Sequence, residues 1–358
     1  MTKLPHPGRF TARCRRRRVR RWVWTCGLAA IFCVAQAPAQ VDQINKVHVQ
    51  PPPSSQPASG PPAGAEAPPV AGPAGLSIHP GSFLRMNVDL VLIPVTVTDP
   101  MNRLVTGLEQ SDFEVFDNKK RQTILSFGED DAPVSIGIIF DLSGSMTSKL
   151  VRARDSILEF IRTSNPEDQF FVIGFNDRPY LMVDFTNSVN KIEARMATAH
   201  AAHRTALLDA IYYGVEKMRF AKYQRKALLV VSDGGDNNSR YTENELRAEV
   251  RESDVQIYSM GIFDPYAPTP EERFGPELLE KICDSSGGRL YRIDDLEEMS
   301  DVAEKISTDL RNQYVIGYRP TVLVRNGKWR KVKVKVNPPP GLPPLTVYAR
   351  SGYYAPLE

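Results

Sequence analysis

Between residues 134 and 311, short apolar runs alternate with amphipathic segments. Runs such as VSIGIIF (134–140), QFFVIGF (169–175) and KALLVVS (226–232) predict strands buried on both faces. Spacing of three and four residues predicts the helices between them, near 147–163, 188–199, 205–219, 242–252, 275–285 and 295–311. This alternation predicts a doubly wound, mostly parallel α/β sheet, in which the strand at 180–185 is an antiparallel edge because its link to the preceding strand is short.

The segments on either side of this part alternate with a period of two and predict antiparallel strands. Before it, a strand through LVLIPVTVT changes phase at Pro94, which predicts a bulge or an edge strand, and a hairpin is predicted around residues 118–120. After it, strands are predicted at 314–319, 329–336 and 345–354. Neither set can fold alone, so we expect the two to pair into one small β-sandwich with the α/β domain inserted between its segments.

The first 81 residues have the composition of an export signal and a spacer. A basic block at 13–21 precedes an apolar run at 22–35, and Ala-x-Ala sites follow it. This order is typical of a secretory signal peptide, placed here at 1–39, with an uncleaved anchor as the alternative. Ten of the 29 prolines lie between Pro51 and Pro80, which predicts a Pro/Ala/Gly-rich linker over 40–81.

These boundaries predict an exported protein of the periplasm, outer envelope or extracellular space, whose membrane contact is made through the signal alone. The remaining chain divides into a first β segment at 82–131, the α/β domain at 132–312 and a second β segment at 313–358. Three of the four cysteines lie in the signal, so Cys283 is left as a buried, inert thiol without a disulfide partner.

Charge argues against a nucleic-acid partner. The formal net charge is +3, but nine of the 45 Lys and Arg residues lie within residues 1–21, and the rest of the chain has 36 basic against 42 acidic residues. The basic stretch KWRKVKVKV at 328–336 is interpreted as the solvated face of an edge strand, whose lysines discourage pairing with other chains. We therefore expect no nucleic-acid binding by the folded part.

Polar side chains follow two of the buried strands. Asp141, Ser143 and Ser145 form a D-x-S-x-S sequence after the first strand, and Asp233 follows the strand at 226–232. In a doubly wound sheet these two strands are neighbours, and their carboxyl ends form the edge at which ligands bind. Thr205 lies before a helix on a third loop. Two carboxylates repel each other unless a cation lies between them, so we expect a metal ion here.

The donor set consists of two carboxylates and three hydroxyls, without a thiolate. Oxygen ligands alone select a hard cation, Mg²⁺ first and then Mn²⁺ or Ca²⁺. Neutral hydroxyls as direct ligands leave the ion electrophilic, so one position can accept a carboxylate from outside. We expect His203, Gly144, Gly234 and Asp236 to form the rim that a partner would touch.

These residues resemble those of the von Willebrand factor type A domain over about 133–312, and DLSGS with Thr205 and Asp233 resembles its metal-ion-dependent adhesion site. The resemblance implies a Rossmann-like fold with strand order 3-2-1-4-5-6. It also implies Mg²⁺ held by Ser143, Ser145 and Thr205, with Asp141 and Asp233 in support, and a partner protein whose Asp or Glu completes the coordination. Family members usually have small residues before the threonine, whereas here His203 and Arg204 precede it.

The flanking segments narrow the resemblance further. They resemble the corresponding segments of a subgroup of exported bacterial proteins that are related to this domain and frequent in acidobacteria. The segments are LVLIPVTVTD, FEVFDNKKRQTILSF, YVIGYRP and RSGYYA.

Several alternatives remain open at this point. D-x-S-x-S could simply cap a helix, and Asp236 could only solvate its loop. His200 and His203, three residues apart, could bind a second metal, but zinc needs a third ligand that is not evident. A metal-assisted hydrolase is conceivable, although G-x-S-x-G and a positioned acid–base pair are missing, so we expect no enzyme. The metal could also be structural, with recognition through the β-sandwich.

Overall fold

The structure is a computed structural model that describes residues 90–129, 131–263, 269–270 and 272–357. The predicted signal peptide and linker lie outside these residues. Within them, no helix combines the length and the apolar character needed to cross a bilayer. The described residues belong to one compact unit.

A six-stranded sheet lies at the centre of the α/β part. Its spatial order is β7-β6-β5-β8-β9-β10, which is 3-2-1-4-5-6 in the domain's own sequence, and only the edge strand β7 runs antiparallel. The predicted fold class is therefore confirmed. The strands are β5 (Val134–Asp141), β6 (Gln169–Phe175), β7 (Pro179–Thr186), β8 (Arg225–Ser232), β9 (Val255–Ile262) and β10 (Leu290–Ile293).

Helices cover both faces of this sheet, which explains why β5 and β9 are buried along their whole length. Ile136, Ile138 and Phe140 of β5 pack under α1, α2 and α6, while Ile139 packs with α3, α4 and α5 on the other face. The helices are α1 (Leu150–Thr163), α2 (Val189–Met196), α3 (Leu207–Lys217), α4 (Glu243–Glu252), α5 (Gly275–Ser286) and α6 (Met299–Arg311).

Two four-stranded antiparallel sheets, ordered β13-β1-β11-β4 and β14-β12-β2-β3, pack over a separate core. In both sheets, strands from before the α/β part pair with strands from after it: β1 with β11 and β13, and β2 with β12. The strands are β1 (Val91–Thr98), β2 (Phe113–Asp117), β3 (Lys120–Gln122), β4 (Ile124–Glu129), β11 (Tyr314–Tyr318), β12 (Trp329–Val336), β13 (Thr346–Ala349) and β14 (Gly352–Tyr354).

The prediction for Pro94 was wrong. Strand β1 runs unbroken through it, the inward positions keep one phase at Ile93, Val95 and Val97, and Leu92 is 44% exposed. The proline is tolerated inside the sheet because β13 begins its pairing only at Val95, so Pro94 has a strand neighbour on one side alone.

Two predicted strands are each divided between the sheets. The segment 121–127 separates at Thr123 into β3 and β4, and 345–354 separates at Arg350 and Ser351 into β13 and β14. A strand that changes sheets keeps its alternating pattern on both sides of the bend, so the pattern alone does not reveal the break.

Candidate metal centre

The loop after β5 begins with a turn that the sequence itself encodes. The Asp141 carboxylate accepts a hydrogen bond from the Ser143 backbone N–H through Oδ1 at 2.9 Å, which is the local turn that Asp favours. Asp141 is completely buried and Ser143 is 1% exposed. The Ser143 and Ser145 hydroxyls lie 3.1 Å apart, so this turn brings two of the predicted ligands together.

The loop after β8 is tied directly to the first. Ser232 ends β8 and donates its hydroxyl proton to Asp141 Oδ2 at 2.5 Å, while its Oγ accepts the Gly234 backbone N–H at 3.0 Å. Asp233 is 1% exposed, and its Oδ1 accepts the Gly235 N–H at 3.3 Å. The Asp141 carboxylate therefore has both oxygens engaged by its own chain.

The third loop, which carries Thr205, is held against the other two through its backbone. Gly144 donates its N–H to the His203 carbonyl at 3.1 Å. Thr205 donates its N–H to Asn237 Oδ1, and its carbonyl accepts the Asn237 N–H, both at 3.0 Å. Thr205 itself is 5% exposed. All three predicted ligand loops thus meet at one edge of the sheet.

Burial and the neighbouring charge of Asp233 raise the proton affinity of Asp141. Loss of solvent is the main cause that raises the pKa of Asp141 to about 7, and the negative charge of Asp233 adds to it. Two buried carboxylates that destabilise each other's charge form an environment that a divalent cation would relieve. The donor chemistry of the residues present therefore fits a hard cation.

Lys149 is the one cation bound to these carboxylates in the described part of the chain. Its side chain is 12% exposed, and Nζ lies 3.3 Å from Asp233 Oδ2 and 3.2 Å from the Ile262 carbonyl oxygen. It immediately precedes α1, where the helix dipole disfavours a positive charge. A lysine at this unfavourable position is the feature of the sequence that could have indicated a contact with an acidic side chain.

Ser232 and Asn237 were also missed. Ser232 is the polar end of an otherwise apolar strand, and that contrast could have indicated a contact with the neighbouring strand's carboxylate. Asn237 offers no comparable signal, because its contact with Thr205 depends on the arrangement of two distant loops.

The predicted rim residues differ in their surroundings. Gly144 and the His203 side chain are exposed, the latter at 64%, and His203 Nδ1 lies 3.6 Å from Asp177 Oδ2. Gly234 is buried, with φ at +79° and its backbone against Gly275. Asp236 accepts the Leu207 N–H through Oδ1 at 2.9 Å, so it ties its loop to the start of α3.

The other residues considered in the sequence as metal ligands or reactive groups are His200, His203 and Cys283. Among the described residues, no three His, Cys, Asp or Glu side chains group so as to hold a metal, and this leaves His200 and His203 without a third ligand of these types. The site above has two carboxylates and otherwise hydroxyls, so it lies outside that pattern. Cys283 is buried, and burial raises the pKa of its thiol.

Residues 136–235 match the family model of the von Willebrand factor type A domain, and this part of the chain is a domain of that family. A search of curated proteins finds no match.

Solved structures of low identity are also similar. A von Willebrand factor type A protein from Catenulispora acidiphila is 14% identical with a TM-score of 0.44, covering 68% of this chain and 73% of the other. BatB from Bacteroides thetaiotaomicron is 19% identical with a TM-score of 0.41, covering 50% and 100%. Proximal thread matrix protein 1 from the mussel byssus, with a zinc-occupied metal-ion-dependent adhesion site, is 16% identical with a TM-score of 0.42, covering 54% and 49%.

Proposed function

We propose that this protein is an exported, non-enzymatic binding module whose metal-ion-dependent adhesion site coordinates an acidic side chain of a partner protein through Mg²⁺. The observation that carries the proposal is the pair of buried carboxylates, Asp141 and Asp233, whose neighbouring loops are joined through Ser232. The family to which residues 136–235 belong supports it.

The proposed ligands divide into hydroxyls that would bind the ion directly and carboxylates that would support it. Ser143, Ser145 and Thr205 would bind the ion through their hydroxyls. Asp141, whose two oxygens already accept hydrogen bonds, would support it through water, as would Asp233. When bound, Mg²⁺ supplies an electrophilic position that a carboxylate from outside can fill; Mn²⁺ or Ca²⁺ could substitute. Gly144 and His203 are exposed on two of the ligand loops and would contact the partner.

Two features favour binding over catalysis. A general base must reach the proton that it removes from a substrate, whereas Asp141 is completely buried and both of its oxygens accept hydrogen bonds within the chain. His203, on the loop that carries Thr205, has a solvent-exposed side chain beside Asp177 and lacks the burial that shapes a catalytic base.

Export and the spacing of this module from its attachment point belong to the proposal as well. They rest on the basic block, the apolar run and the proline-rich segment of the first 81 residues.

A capture experiment tests the proposed function. The immobilised protein is exposed to an envelope extract with Mg²⁺ or with a chelator, and to the same extract after its carboxyl groups have been amidated. Ser143→Ala removes one proposed ligand. Ser156→Ala is the matched control, because this buried serine lies on α1 and bonds only to the Ala153 carbonyl among the contacts described.

We expect specific capture in Mg²⁺ by the wild type and by Ser156→Ala, and its loss with chelator, with Ser143→Ala and with the amidated extract. Capture that survives the chelator and Ser143→Ala would contradict the proposal. If these conditions only lowered the melting temperature, the metal would be structural, and recognition would lie elsewhere, for example on the β-sandwich.

A further inference from the structure

The Lys149 ammonium forms an ion pair with one of the two carboxylates that are proposed to support the metal. Its contact at 3.3 Å is with Asp233 Oδ2, while Oδ1 of the same group accepts the Gly235 N–H. Both oxygens of Asp233 are therefore engaged within the chain. An ion approaching Asp233, directly or through water, competes with Lys149 for Oδ2.

We propose that Lys149 is a tethered counter-cation, which neutralises Asp233 in the metal-free protein and must release it when a divalent ion binds. This inference rests on the proposed metal site and adds its regulation: Lys149 lowers the affinity for the divalent ion, and so sets the ion concentration at which the partner site forms.

The charges around the site support this exchange. Asp141 and Asp233 carry two negative charges when ionised, and Lys149 neutralises one of them in a region that is almost fully buried. While the Lys149 ammonium stays on Asp233, its positive charge repels a divalent ion that approaches the same carboxylate, and this repulsion is strong at a buried site. Releasing Asp233 therefore favours the bound ion.

The second contact of Lys149 would keep its ammonium hydrogen-bonded after it leaves Asp233. Its Nζ also donates to the Ile262 carbonyl oxygen at 3.2 Å, at the end of β9. A side chain that shifts toward this carbonyl keeps one hydrogen bond while it gives up Asp233. The exchange then needs a change in one side chain and no rearrangement of the loops.

The test measures Mg²⁺ and Mn²⁺ binding to the purified protein by titration calorimetry. Lys149→Met removes the charge and keeps much of the apolar side chain, and Lys149→Arg keeps the charge. Lys222→Met is the matched control, because Lys222 is exposed, contacts Tyr223 and precedes β8, at the edge of the sheet opposite Asp233.

We expect Lys149→Met to bind the ions about tenfold more tightly, the order of change expected when a like charge beside a bound ion is removed. Lys149→Arg should stay near the wild type, and Lys222→Met should match it. Unchanged or weaker binding by folded Lys149→Met overturns the inference, because Lys149 would then be a structural partner of Asp233. If the wild type and all three variants bind no divalent ion, the proposed metal site itself fails.

A second measurement, made on the wild type, tests the release of Asp233 even if Lys149→Met does not fold. The ¹⁵N signal of the Lys149 ammonium, assigned by its loss in Lys149→Arg, is followed during a Mg²⁺ titration of the wild type. A shift that saturates together with the calorimetric binding supports release of Asp233. A signal that stays constant while the ion binds contradicts it.

Discussion

Buried aspartates lie in the β-sandwich and at the edge of the six-stranded sheet, and their negative charge is balanced differently in the two regions. In the β-sandwich, Asp117 is 1% exposed, and Arg330 pairs with it at 2.9 Å between Nη2 and Oδ1. The Tyr318 and Tyr353 hydroxyls donate to its Oδ2 at 3.2 and 3.0 Å. At the edge of the six-stranded sheet, Asp233 pairs with the ammonium of Lys149, while Asp141 has no cation in contact among the described residues.

The difference separates a buried acid that holds the fold together from a pair of acids that we propose to support a metal ion. Asp117 has its charge matched and its oxygens filled by side chains of β11, β12 and β14, so it joins the strands of both sheets. At the sheet edge, Lys149 matches the charge of Asp233, and no cation among the described residues contacts Asp141, whose pKa is raised to about 7 mainly by burial. An unmatched buried charge is costly to fold, and its presence points to function.

The largest effect is expected for Asp117→Ala. Because the variant leaves the Arg330 guanidinium buried without its partner, we expect a loss of about 3–5 kcal/mol in the free energy of unfolding, measured by urea denaturation. Asp155→Asn, at an exposed position on α1, should change it by less than about 0.5 kcal/mol. A loss for Asp117→Ala as small as that of Asp155→Asn would contradict the structural role of the buried Asp117–Arg330 pair.

A pair of glycines compares the two regions at the level of the backbone. Gly234 at the site has φ +79°, and an added Cβ would lie 2.6 Å from the Gly275 Cα; Gly107 in the β-sandwich has φ +76° and open space around it. Gly234→Ala should therefore cost about 2–4 kcal/mol and weaken Mg²⁺ binding, while Gly107→Ala costs about 1 kcal/mol from its φ alone. Equal losses in thermal unfolding would show that the close packing at Gly234 is unimportant.

Metal addition should stabilise the protein through the site at the edge of the six-stranded sheet. At 100 times its dissociation constant, Mg²⁺ should raise the unfolding free energy by about 2.7 kcal/mol. Ser143→Ala should lose most of this gain, and Ser156→Ala should keep it, as measured by urea denaturation with and without chelator. A gain that persists in Ser143→Ala would place the bound ion elsewhere.

The smallest effect concerns left-handed residues other than glycine. His203 has φ +75° on the Thr205 loop, and Lys119 has φ +69° in the β2–β3 hairpin. Replacing either by glycine relieves strain but adds freedom to the unfolded chain, so a net gain of about 0.5 kcal/mol is expected for each. Calorimetric melting should detect it, and a loss on His203→Gly would show that the imidazole contributes to stability.

The sequence predicted the six-stranded sheet well because its central strands are mostly apolar and the helices between them have a clear period. The site loops followed from the same argument, since Asp141 and Asp233 are the first acidic residues at the ends of two such strands. The predicted helices agree to within a few residues at their ends, and the short antiparallel link placed β7 at the edge.

What the sequence could not supply depends on contacts between distant segments. Lys149 binds Asp233 across 84 positions, and Ser232 binds Asp141 across 91, so the sequence marks each residue as unusual at its position but does not show which group it contacts. The same is true of Pro94, whose tolerance depends on where β13 begins. The divided strands at Thr123 and Arg350 keep their alternation on both sides, and only the packing of two sheets shows the break.

The most direct test of the central claim is a calorimetric titration of Mg²⁺ into the wild type and into Asp233→Asn, with Asp155→Asn as the control of equal chemical change. The account predicts one ion per chain for the wild type and for Asp155→Asn, and a loss of binding for Asp233→Asn with the fold retained by circular dichroism. One ion bound with unchanged affinity by folded Asp233→Asn would contradict it.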